Sequence, residues 1–176
     1  MTKPRRDALL TAARAIATFC MGIALVICAA ALIALPAVLM GHTEIITRIK
    51  PEAAATPGWE VIAALQSILA LVALMGALGF QWLRKLRHVI DSVAKGDPFA
   101  PENAERLAQM GWLTVGIELL AIPVGGIGQW ISRTIEDATS DFGISLGGIL
   151  LALVLFILAR VFREGAAMRS DLEGTV

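Results

Sequence analysis

Charge is scarce in this 176-residue chain, and the residue patterns that usually build active sites are missing. Asp, Glu, Lys and Arg make up 17% of the sequence, whereas about a quarter of a typical soluble domain is charged. The formal net charge is zero, which does not suggest a general nucleic-acid binder. No HExxH, CxxC or phosphate-loop pattern occurs, and the letters of GxSxG occur once, at Gly143–Gly147, at the start of an apolar block. We therefore expect no enzymatic activity, no catalytic residues, no cofactor and no direct binding of nucleic acid.

The few cysteines and histidines do not form a metal-binding pattern. Cys20 and Cys28 lie eight residues apart in one apolar stretch, where a disulfide between them is geometrically implausible and small apolar side chains are the simplest interpretation. His42 and Glu44 share one loop without a second histidine, and His88 lies among arginines. Zinc sites usually combine several such ligands, so no metal site is predicted.

Hydrophobic residues, by contrast, make up 57% of the sequence, and mean hydropathy is +0.73. They fall in four long blocks, and a helix needs about 20 apolar residues to cross a bilayer core of about 30 Å. The first block follows "KPRR" but is longer than the apolar core of a signal peptide, about 7–15 residues, so it is predicted to be retained. We predict an all-α, four-transmembrane-helix bundle, forming a single membrane domain over residues 1–176. Its spans are Ile16–Met40, Trp59–Leu83, Leu107–Ile131 and Gly143–Phe162.

The distribution of basic residues predicts the orientation, because Lys and Arg near a span resist translocation. All but three of the 15 Lys and Arg residues lie before the first block, between the second and third, or at the end of the fourth; the exceptions are Arg48, Lys50 and Arg133. Both termini and the middle connection are therefore predicted to be cytosolic. Trp59 and Trp130 then lie at the outer interface, where tryptophans usually anchor a helix.

The middle connection has the pattern of a helical hairpin over residues 84–106. Apolar residues recur every three or four positions after the second block, as on one face of a continuing helix. Gly96 is a typical left-handed residue at a helix end, Asp97-Pro98 favours a turn, and Pro101 suits the first turn of the next helix. We expect the hairpin to project into the cytosol with Phe99 at its tip. Phe99 is expected to pack against the C-terminal tail, 163–176; contact with a partner and exposure to solvent are the alternatives.

The hairpin carries a family resemblance. Its "GDPF", with the following Asn, Arg-Leu and Gly, resembles the "G-x-P-F…N…RL…G" core of a bacterial family of unknown function, DUF2975. The ending "VFREGAAMRSDLEGTV" is similar to that family's C-terminal "F…G…L…DL..TV" pattern. The residues singled out by these patterns are Gly96, Pro98, Phe99, Asn103, Arg106, Leu107, Gly111, Gly165, Asp171 and Leu172. The resemblance implies a small multi-span protein of the bacterial inner membrane, of a kind often encoded beside helix-turn-helix regulators, and it carries over no catalytic residues.

Glu118 is the acidic residue nearest the middle of a span, which is a costly position for a carboxylate. Three interpretations stay open: a hydrogen bond across the bundle, for example to Gln66, Ser67 or a carbonyl near Pro123; a proton- or ion-coupled role; and a contact between copies of the chain.

The combined features predict a regulatory or interaction protein that binds a cytosolic partner, such as a helix-turn-helix regulator, through its hairpin and tail. The alternative is a small transporter or channel subunit that uses Glu118. An alternative role for Arg84, Lys85 and Arg87 is to bind anionic headgroups of the lipid bilayer, which suits them better than a nucleic-acid role. Whether the chain forms a homo-oligomer is left open.

Overall fold

The computed structural model describes residues 3–41, 43–44, 59–134 and 145–173, with side chains described over 8–41, 43–44, 59–133 and 145–171. Four helices occupy these ranges, and no strand occurs in them. They are α1 (Lys3–Met40), α2 (Trp59–Ala94), α3 (Pro101–Thr134) and α4 (Leu146–Glu173). Each is long and apolar enough to cross a membrane. The prediction of an all-α protein with four such helices is confirmed.

The helices are longer than the apolar blocks that predicted them. α2 has 36 residues and α3 has 34, whereas about 20 suffice to cross a bilayer core. α1 likewise begins at Lys3, well before the first block, and α4 continues to Glu173. Pro36 and Pro123 lie inside α1 and α3, as is tolerated in membrane helices whose neighbours satisfy the freed backbone groups. The predicted start of the fourth span at Gly143 lies outside the described residues.

Residue contacts group the chain into two compact units. The first, the hairpin unit, comprises Met1–Ile23, Leu78–Gly116 and Leu146–Val176. Its core is a cluster of Leu107, Met110, Leu155 and Ala159. Met110 is 1% exposed, which shows that α3 and α4 pack tightly here even though most surfaces of the four helices are apolar and open.

Small residues set the distance between α3 and α4 in the hairpin unit. A Cβ atom added to Gly111 would lie 2.8 Å from Cε1 of Phe156, so the ring occupies the space that a side chain would need. Phe156 also packs edge-on against Trp112, with ring centroids 5.3 Å apart. Such close approach over small residues is typical of helices that pack in membranes.

A hydrogen bond joins α2 to α3 in the same unit: the Trp82 indole N–H donates to Thr114 Oγ1 at 3.1 Å.

The second unit comprises Ala24–Ala77 and Ile117–Ser145. Here α1 and α2 meet at Gly76, where an added Cβ atom would lie 3.5 Å from Cys28 Cβ. Cys28 Sγ lies 3.6 Å from the carbonyl oxygen of Ala73, and both cysteines are free thiols. The interpretation of Cys28 as a small packing residue fits this contact.

Candidate functional site

The turn between α2 and α3 begins with a Schellman motif. Gly96 has a φ of 87°, which lies in the left-handed region that favours glycine. The Gly96 N–H donates to the Val93 carbonyl at 3.1 Å, and the Asp97 N–H donates to the Ser92 carbonyl at 3.2 Å. These two bonds satisfy carbonyl groups that the end of a helix leaves without partners. The predicted role of Gly96 is confirmed, and α3 begins at Pro101 as predicted.

Asn103, in the first turn of α3, holds this turn together. Its side chain is 0% exposed. Its Nδ2 donates to Ser92 Oγ at 2.9 Å and to the Pro98 carbonyl at 3.0 Å, and its Oδ1 accepts from Arg106 Nη1 at 2.8 Å. Ser92 Oγ in turn donates to the Asp97 carbonyl at 2.6 Å. One buried amide therefore links the end of α2, the turn and the start of α3.

The ring of Phe99 packs on α4. Its centroid lies 5.4 Å from that of Phe162. A Cβ atom added to Gly165 would lie 2.8 Å from Phe99 Cδ1, so only glycine lets the ring lie this close to the helix. The expected packing of Phe99 on the C-terminal region is confirmed, although 41% of the residue remains exposed.

A charged pair adds to this contact with α4. Arg169 Nη1 donates to Asp97 Oδ1 at 2.6 Å, and the two side chains are 52% and 48% exposed. Exposed ion pairs contribute about 1 kcal/mol or less, so this pair adds little to the stability of the contact between the turn and α4. A second pair joins Arg14 of α1 to Asp91 of α2, with the arginine 47% and the aspartate 30% exposed.

A model of the DUF2975 family, described as a protein of unknown function, matches residues 44–176 of the chain. The chain belongs to the DUF2975 family. Searches among curated proteins and among solved structures found no match.

Most residues of the DUF2975 patterns meet in the hairpin unit. Leu107 lies in its core, Gly111 faces Phe156, and Gly165 faces Phe99. Asp171 is an exposed residue of the last turns of α4, and Leu172 also lies in α4, but its side chain is outside the described ones. The patterns therefore describe a turn and the surfaces that attach it to α4.

The outer face of the DUF2975 hairpin has a shallow depression of about 340 Å³ with charges of both signs. Arg84, Lys85 and His88 line it from α2, and Glu102, Glu105 and Arg106 line it from α3. Lys85 Nζ donates to Gln109 Oε1 across it. Of the three basic residues expected to suit lipid headgroups, Arg87 does not line this depression. The mixture of charges suits a protein surface better than it suits a phosphate group.

The two polar residues predicted inside the spans have separate partners. Gln66 Nε2 donates to the Leu35 carbonyl of α1 at 2.6 Å. Glu118 Oε2 accepts from the backbone N–H of Ser145 at 2.9 Å. None of the partners suggested for Glu118 is the one observed: it bonds to Ser145, whereas Ser67 donates to the Ala63 carbonyl in its own helix. In this contact Glu118 acts like the glutamate of a capping box, since Ser145 directly precedes α4.

Nothing in the described ranges resembles a metal centre: they contain no group of three or more His, Cys, Asp or Glu side chains placed to hold an ion. His42, one of the residues considered for such a site, lies outside those ranges.

Three residues that matter for the hairpin were not predicted from the sequence, namely Ser92, Phe156 and Arg169. A serine four residues before a helix-ending glycine is a usable signal, because serine hydroxyl groups often bond to nearby backbone.

Proposed function

We propose that this DUF2975 protein is a bacterial inner-membrane protein that binds a cytosolic protein through its α2–α3 hairpin and the end of α4. The observation that supports this proposal most is that hydrogen bonds and packing fix the hairpin in one conformation. A polar connection that only had to link two spans would need no buried amide network and no attachment to α4. Here Asn103 fixes the turn, and Phe99 and Asp97 attach it to α4.

The cytosolic position of the hairpin is part of the proposal and is supported by charge and length. All but three of the 15 Lys and Arg residues lie at the two termini or in the hairpin, as the positive-inside rule requires of cytosolic segments. α2 continues from Trp82 to Ala94, and at 1.5 Å per residue those residues reach about 18 Å beyond the predicted membrane boundary. A helical hairpin of this length is accessible to a soluble protein.

The chemistry of the partner follows from the exposed side chains. Glu102 and Glu105 on α3 and Arg163 on α4 are exposed. Phe99, three residues before Glu102, is 41% exposed. An apolar ring among charges of both signs suits a small, mixed-charge protein surface. The family resemblance suggests a helix-turn-helix regulator as such a partner, which the membrane protein would hold, inform or antagonise.

Affinity capture from membranes tests the proposal. We expect the full chain to enrich one cytosolic protein, and expect Phe99→Ala and a deletion of Asp171–Val176 to reduce that enrichment. Glu118→Gln is the matched control, because it changes a polar residue away from the hairpin and should leave capture intact. Failure of the full chain to enrich any cytosolic protein would overturn the proposal.

The alternative function, a transporter or channel subunit, depends on Glu118, and the structure gives that role less support. The carboxylate is already hydrogen bonded to the Ser145 N–H. The transporter hypothesis requires Glu118→Gln to abolish an ion-coupled or transport phenotype while partner capture is unaffected, which separates the two functions in one pair of measurements.

A further inference from the structure

A second candidate site lies in the other compact unit, at the start of α2 and near the end of α3. It is a cavity of about 460 Å³ that is wide open to the surroundings, and Trp59, one of its lining residues, is 76% exposed. Trp59 and Glu60 line it from α2, with Ala63 and Ala64 one turn further along the same face, and Gly126 and Trp130 are among the residues that line it from α3. Three of the seven described lining residues are alanine or glycine, and Ile127 completes the lining.

Gly126 shows how open this space is. A Cβ atom added there would meet no heavy atom within 4 Å. A glycine that permits close helix approach should instead face a neighbour, as Gly111 and Gly165 do. Gly126 is therefore not explained by a close approach of helices.

The lining has a definite chemical character. Its walls are apolar apart from one carboxylate, Glu60, which lies in the first turn of α2, where the helix dipole favours negative charge. Indole faces attract cations, and a carboxylate beside them adds charge attraction. A neutral apolar guest would gain nothing from the Glu60 carboxylate, and none of the described residues that line the cavity is basic, which disfavours a phosphate.

We propose that this cavity binds an amphiphilic cation, meaning an ammonium group carried on an apolar chain. The ammonium group lies between Trp59, Trp130 and Glu60, and the chain extends along Ala63, Ala64 and Gly126. Tryptophans near the end of a span usually serve as headgroup anchors. These two differ because they border one cavity together with a single acid. The site is independent of the hairpin and of the proposed partner.

Calorimetric titration of the purified full chain in uncharged maltoside micelles tests the proposal, with dodecyltrimethylammonium as the probe. We expect saturable binding of one probe per chain. Glu60→Gln keeps the shape of the side chain and removes its charge, so affinity should fall by about fivefold, as expected for the loss of an exposed ion pair. Gly126→Leu should abolish saturable binding by filling the cavity.

The control is Gly79→Leu, the same substitution at another helical glycine whose added Cβ atom meets nothing within 4 Å. It should bind like the wild type. Equal affinity in the wild type and the Glu60→Gln variant would overturn the proposal, and so would saturable binding to Gly126→Leu. Dodecylphosphocholine distinguishes a phospholipid site: tighter binding of this probe than of dodecyltrimethylammonium would also contradict a site for a simple cation.

Discussion

Replacing Asn103 with aspartate tests the hydrogen-bond network of the hairpin without changing the size of the side chain. In the native turn, Nδ2 donates to Ser92 Oγ and to the Pro98 carbonyl. Aspartate would place a carboxylate oxygen against that carbonyl oxygen, while Arg106 would keep its acceptor. The variant therefore removes two donors from a fully buried position without creating a cavity.

The expected loss follows from the number of bonds. A neutral hydrogen bond contributes about 0.5–1.5 kcal/mol net, and a buried acceptor left without a donor costs about 1–3 kcal/mol. Ser92 keeps its bond to the Asp97 carbonyl, so the main penalty falls on the Pro98 carbonyl. We expect the opening free energy of the turn to fall by about 2–3 kcal/mol, which raises the opening equilibrium constant, and with it the rate of amide exchange, by about 30- to 150-fold at about 1.4 kcal/mol per factor of ten.

Hydrogen–deuterium exchange of the Gly96 and Asp97 amides measures this opening, because both amides are bonded only while the turn is closed. Glu102→Gln is the control: it is an exposed carboxyl-to-amide change on the same helix and should leave both rates unchanged. If the Asn103→Asp variant exchanged these amides within about threefold of the wild-type rate, the assigned role of Asn103 would be refuted.

Three further predictions concern the contacts of α4 and α3. Gly165→Ala should destabilise the folded chain by about 1–3 kcal/mol in a detergent unfolding titration, because its Cβ atom would lie 2.8 Å from Phe99, and Phe99→Ala should remove most of that penalty in a double-mutant cycle. Arg169→Gln should cost about 1 kcal/mol or less and lose its effect in high salt, whereas a larger, salt-independent loss would contradict the exposed ion pair. Glu118→Ala should speed amide exchange at Ser145 about fivefold, as expected for a lost cap worth about 1 kcal/mol, while Glu118→Gln should retain most of the protection; equal exchange in both variants would exclude a capping role.

Much of the hairpin could be predicted because its signals are local. Gly96 predicts a helix end and Pro101 predicts a helix start, because of the backbone conformations that each residue prefers. Those preferences do not depend on distant residues. Phe99 was expected to pack because an exposed aromatic tip is unfavourable, and the ring does contact Phe162. The number of helices could be predicted from the apolar blocks, because each block is also a local signal.

The contacts between residues on different helices could not be predicted from the spacing of residues in the sequence. Asn103 belongs to the family pattern, but its bond to Ser92 depends on how two helices meet across the turn. The partner of Glu118 is 27 residues away along the chain, and its position depends on where α4 begins relative to α3. Gly111 faces Phe156 for a similar reason, since the register between α3 and α4 is set by packing that no short pattern contains.

The central claim is that the ordered hairpin is itself the surface that binds a cytosolic partner. The most direct test places a photo-cross-linking amino acid at the exposed position Glu102 in living cells, with position Leu119, exposed on the middle of α3, as the control. We predict an adduct with one cytosolic protein from position 102, none from position 119, and loss of the adduct when Asn103→Asp is added. No adduct at position 102, or an adduct that persists in the Asn103→Asp background, would contradict the claim.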